Sequence, residues 1–123
     1  MDARSEAALD EGIELFNRGE YHAALDAFEL PYHEAGRAHR PFFLALIRAA
    51  AALYHLAGGR PIAAGRLYAS SRELLTAFAP EHMGLDIQAL GADLVAVFAP
   101  AGAESVRAPW PPRQAPRMRR RKG

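Results

Sequence analysis

The stretch that decides the fold is Pro41–Pro61, PFFLALIRAAAALYHLAGGRP. Its apolar run, Phe42 to Ala57, is shorter than the roughly 20 residues a bilayer-spanning helix needs and carries Arg48 at its centre, so it reads as a core helix rather than a membrane span. Pro41 suits a first helical turn, where no amide donor is required, and Gly58 and Gly59 supply the backbone freedom that closes a helix. Pro61 then opens the next helix in the same way.

Working outward, the same logic yields five helices. Towards the N-terminus, Ala8, Leu9, Gly12, Ile13, Leu15 and Phe16 recur at helical spacing, with Ser5 as the expected N-cap and Asn17-Arg18-Gly19 as the stop. A second helix starts near Glu20 with Tyr21, Ala24, Leu25 and Phe28 on one face, and Pro31 is expected to end or kink it. Towards the C-terminus, Pro61 to Phe78 forms the fourth helix, and Ile87, Leu90, Leu94 and Phe98 give the fifth, Asp86 to Phe98, its 3.6-residue period. With 27 alanines and almost no alternating Val/Ile/Thr runs, the prediction is an all-α fold: a compact antiparallel bundle over residues 1–101 followed by a disordered Pro/Arg-rich tail over 102–123. In that tail Trp110 is the one expected anchor.

The length, 123 residues, fits one domain, and the absence of cysteine excludes disulfides, thiolate metal clusters and a cysteine nucleophile. The N-terminus has neither the basic region nor the apolar core of an export signal, so a cytoplasmic location is expected. The net charge of +1 conceals strong segregation. Residues 1–34 carry nine acids against Arg4 and Arg18; residues 35–72 carry six arginines and no acid; residues 73–106 carry five acids and no base; residues 107–123 carry seven bases and no acid.

No Gly-x-Ser-x-Gly elbow and no Gly-x-x-x-x-Gly-Lys phosphate loop occurs, and no cofactor is assigned. His22, Asp26, Glu29 and His33, spaced four, three and four, would line up imidazoles and carboxylates for a divalent metal on an uninterrupted helix. Pro31 lies inside that stripe and the stripe is turned away from the apolar face, so a solvated flank is the simpler account and no metal is assigned. His39 and His82 read as surface or loop residues. Arg48 and His55, seven residues apart, share a face of helix three and interrupt an otherwise apolar surface.

Three segments, Gly12-Ile-Glu-Leu-Phe-Asn-Arg-Gly-Glu-Tyr21, Ala50-Ala-Ala-Leu-Tyr-His55 and Gly84-Leu-Asp86 followed by Leu90, together resemble the prokaryotic family catalogued as domain of unknown function 309, a small all-helical bundle. The first segment also looks like a tetratricopeptide helix pair, but the following residues do not repeat it. Laid on the family pattern, the family histidine falls on Leu25, its following glutamate on Asp26, the next glutamate on Glu29 and its tryptophan on Tyr32, while two glutamines fall on Leu44 and Arg48 and a glycine on Ala45. Glu29 and His55 are kept.

That alignment implies Asp26 and Glu29 as carboxylate partners for Arg48, since an unpaired buried guanidinium is costly. The expectation is a cross-helix cluster of Asp26, Glu29, Arg48 and His55, acting first as a structural ion pair. The leading reading of function is a non-enzymatic bundle that contacts an unidentified protein or a second copy of itself through its acidic and basic segments, with no membrane contact. The competing reading is a small-molecule or metal-dependent hydrolytic site between helices two and three carried by Glu29, Asp26 and His55. A third is nucleic-acid contact through Arg117, Arg119, Arg120, Arg121 and Lys122, with Trp110 available for stacking.

Overall fold

In a computed structural model, which describes residues 2–98 and 110–120, the elements run α1 (Ala3–Asn17), α2 (Tyr21–Glu34), α3 (Arg40–Ala57), α4 (Pro61–Thr76), β1 (Glu81–His82), β2 (Leu85–Asp86) and α5 (Ile87–Phe98). Each of α1 to α4 packs most extensively on its neighbour in sequence, and α5 returns against α4 and the β1–β2 hairpin. The core is a single cluster running from Leu9, Ile13 and Phe16 of α1 through Phe28, Phe42, Leu46 and Leu53 to Leu90 and Leu94 of α5.

The helix ends follow local chemistry. At the start of α1 the cap is Asp2 rather than Ser5: its carboxylate accepts from the Ser5 amide at 2.8 Å, and this hydrogen bond holds the Asp2 carboxyl below its ordinary pKa. Ser5 instead turns inward and is fully buried. Gly19 (φ +81°) and Gly59 (φ +75°) take the left-handed conformation past α1 and α3, letting the Glu20 amide reach the Leu15 carbonyl and the Arg60 amide reach the His55 carbonyl, both at 2.9 Å. Pro31 does not terminate α2, which continues to Glu34. It sits in the last turn, where a missing donor removes one hydrogen bond, and its ring is buried in the core.

The α3·α4 interface is built from small residues. Ala45, Ala49, Ala52 and Ala64 are all fully buried, and Ser71 of α4 donates its hydroxyl to the Ala45 carbonyl at 2.8 Å. Between α4 and α5 the chain forms a two-residue hairpin that the sequence did not announce. Glu81 pairs with Asp86 and His82 with Leu85, while Met83 (φ +51°) and Gly84 (φ +75°) make the turn. Two positive φ angles in succession match the twist of paired strands, although a methionine is an uncommon occupant. The turn is held by Glu81, which accepts from the Gly84 amide at 3.2 Å, and by Arg120, whose Nη1 donates to the Met83 carbonyl at 2.9 Å. Asp86 then accepts from the Ala89 amide at 2.9 Å, satisfying an open donor in the first turn of α5.

Residues 110–120 lie against this body. Trp110 packs edge-on to Tyr21 with ring centroids 6.1 Å apart, as an anchor. It is not the only one, because Met118 is 2% exposed within the core cluster and the Asp86 amide donates to the Arg119 carbonyl at 2.8 Å. The expectation of tail disorder over 102–109 and 121–123 falls outside the described residues.

Candidate functional site

The four residues expected to cluster between α2 and α3 are not brought together. Arg48, half-buried on α3, donates from Nη1 to the Ser70 hydroxyl of α4. His55 accepts at Nδ1 from Arg60 Nε at 2.8 Å, and the Arg60 guanidinium also lies over the Tyr54 ring at 5.4 Å. Asp26 is exposed and sits 3.5 Å from His22, while Glu29 is exposed and makes no ion pair or side-chain hydrogen bond among the described residues. The reason is rotational. Tyr21, Ala24, Phe28 and Pro31 occupy the buried face of α2, leaving Asp26 and Glu29 to solvent, and Arg48 and His55 share the side of α3 that meets α4 and its connecting loop. The Arg48–carboxylate pairing is therefore replaced by Arg48–Ser70.

The basic tail is engaged by acids of its own chain. Arg119 Nη1 lies 3.0 Å from Asp93 Oδ2, the same oxygen that accepts from the Arg117 amide at 3.1 Å, and Arg120 pairs with Asp10 of α1. Asn17 of α1 grips Met118 with two hydrogen bonds. Arg121 and Lys122 lie outside the described residues.

The six arginines of residues 35–72 behave differently. Arg40 donates to the Ala35 carbonyl at 3.2 Å and lies over Tyr32, and Arg48 and Arg60 are bound as above. Arg37, Arg66 and Arg72 are exposed, and among the described residues none of the six ion-pairs with a carboxylate. On the acidic helices, the Glu6, Glu11, Glu29 and Glu34 carboxylates are likewise exposed and without an ion pair among the described residues.

The sequence reading missed a mixed polar cleft of about 180 Å³, where the cap Asp2, Ser5 of α1, Glu34, His39, Phe43 and Met83 meet. Ser5 Oγ is buried there without a hydrogen-bond partner. Beside it, His82 is not an open loop residue. Its ring lies 4.6 Å from Phe42, 4.7 Å from Phe78 and 5.6 Å from His39, and its Nε2 is buried without a partner. Burial, and then the neighbouring His39, lower the His82 pKa from its ordinary value. A visible signal was Ser5 itself, a polar residue in register with Leu9, Ile13 and Phe16. Among the described residues no three His, Asp or Glu side chains are gathered closely enough to hold a metal ion. No helix of the described residues is long and apolar enough to cross a membrane.

The α1–α2 hairpin, α3 and the first turns of α4 are the part of the fold matched by a family model described as Domain of unknown function (DUF309), over residues 9–67. Over that stretch the chain belongs to this family. The DUF309 region thus contains Asp26, Glu29, Arg48 and His55, whereas Ser70, the β1–β2 hairpin, α5 and the docking tail lie beyond it. No curated protein and no solved structure matches the chain.

Proposed function

We propose that this DUF309 chain is a non-catalytic, cytoplasmic interaction module that associates with a second copy of itself through complementary charge. The observation that carries this reading is that its two charge blocks are not neutralised by each other. Arg37 and Arg66 on the basic side, and Glu6, Glu11, Glu29 and Glu34 on the acidic side, are all exposed without an ion pair among the described residues. Pairing the acidic α1–α2 hairpin of one copy with the arginines of another offers both the partner they lack, and such steering is strongest at low ionic strength. Against a hydrolytic site stands the separation of Glu29 from His55, neither of which lines the clefts of α1–α2, α4–α5 or the tail. Against nucleic-acid contact stands the engagement of Arg119 and Arg120 by Asp93 and Asp10.

Sedimentation velocity over a range of protein concentrations tests the proposal. At low salt the mass is expected to rise above the 13.4 kDa of one chain, and at high salt to return to it. Arg37→Glu with Arg66→Glu should abolish association, and mixing that variant with Glu6→Arg/Glu11→Arg should restore it. A monomer at every concentration in low salt overturns the reading.

A further inference from the structure

We infer that the groove between α4 and α5 is a binding site for a small amphipathic carboxylate, an aliphatic acid of medium chain length. The groove encloses about 220 Å³. Its walls are apolar: Leu75 and Ala79 from the α4 side, and Ile87, Gly91, Leu94 and Val95 from α5. Tyr68, stacked on Phe98 with centroids 4.4 Å apart, forms a flat aromatic wall. Such a concave apolar surface with few polar groups is the usual make-up of a small-molecule site.

The groove exists because of sequence choices. Gly91 and Ala92 present almost no side chain, and a Cβ added at Gly91 would meet nothing within 4 Å. Helix interiors disfavour glycine relative to alanine, so Gly91 sacrifices helix stability and leaves space. Val95 remains 38% exposed at the rim. The α4·α5 contact is correspondingly far slighter than that between α3 and α4.

The charge of the ligand is set by Arg72. It lines the groove from α4, is exposed, and its guanidinium makes no ion pair or hydrogen bond among the described residues. A guanidinium presents a planar fork suited to a carboxylate, and Gln88 across the groove adds a neutral hydrogen-bonding group. An acyl chain in the apolar trough with its carboxylate at Arg72 satisfies both halves of the site. This assignment stands apart from the charge pairing proposed above, which uses Arg37 and Arg66.

Sodium octanoate titrated into the full chain, followed by two-dimensional amide NMR, tests it. Saturable shifts are expected at Thr76, Gln88, Gly91 and Ala92, and Arg72→Gln should weaken octanoate at least tenfold while changing 1-octanol little. Gly91→Leu should block both ligands, and Gly91→Ala, which is expected to fold at least as stably, should weaken both. No saturable shift, shifts centred elsewhere, equal binding of octylamine, or groove shifts that follow protein concentration without octanoate (a second copy as occupant) would each overturn the inference.

Discussion

Asn17 and Met118, 101 residues apart, exchange two hydrogen bonds: Asn17 Nδ2 donates to the Met118 carbonyl at 2.9 Å, and the Met118 amide donates to Asn17 Oδ1 at 2.7 Å. A side-chain amide used in this way treats the tail as a strand, while the Met118 side chain fills the core. Arg119 and Arg120 add charge on either side through Asp93 and Asp10. The latch thus joins α1, the β1–β2 hairpin and α5.

Met118→Ala should lower stability by about 2 kcal/mol, the low end for truncating a buried methionine, because the tail can undock locally without unfolding the bundle. Hydrogen exchange should show it first at the Asp86 amide, whose acceptor is the Arg119 carbonyl. Unchanged protection there would disprove the latch.

Gly12→Ala should destabilise by about 1–2 kcal/mol despite the better helix propensity of alanine. The new Cβ would fall 2.4 Å from the Phe28 ring, which is fully buried and has no room to retreat. Urea denaturation distinguishes this from Gly65→Ala, where the added Cβ meets nothing within 4 Å and a small gain is expected.

A double-mutant cycle on Arg48→Met and Ser70→Ala should return a coupling of about 1 kcal/mol, whereas Arg48→Met with Glu29→Gln should return none. Arg48→Met alone should change stability by less than about 1 kcal/mol, since the longer apolar contact offsets one charge-assisted hydrogen bond at a half-buried site. A large coupling to Glu29 would restore the α2–α3 pairing.

The His82 pKa is lowered in the folded protein, so the unfolded chain binds more protons on acidification. The stability that neutral His82 confers is complete above the unfolded value of about 6.5 and is lost as pH falls through that value towards the folded one. Thermal melts of the wild type should therefore fall between pH 7 and 5 more steeply than those of His82→Phe. Parallel slopes would assign the pH dependence elsewhere.

How much of this was legible can be read from particular residues. The starts at Pro41 and Pro61, the stops at Gly19 and Gly59, and the apolar period of α5 were visible because each is settled within a turn or two of chain. The cap of α1 lies three positions before Ser5 because Asp2 is an equally good capping residue, and only burial of Ser5 against the core selects between them. Pro31 does not end α2 because one lost hydrogen bond is outweighed by burial of its ring, which no local pattern reveals.

The sequence by itself determined five helices, the limits marked by Gly19, Pro41, Gly59 and Pro61, the absence of thiol chemistry and the alternation of acidic and basic blocks, since helical periodicity, glycine and proline punctuation and charge counts are local. Only the tertiary structure decided that Arg48 meets Ser70, that His82 enters an aromatic nest and that the basic tail closes on Asp10 and Asp93. Those choices depend on how each helix is rotated in a shared core and on contacts spanning 22 to 110 residues of chain, which no local pattern encodes.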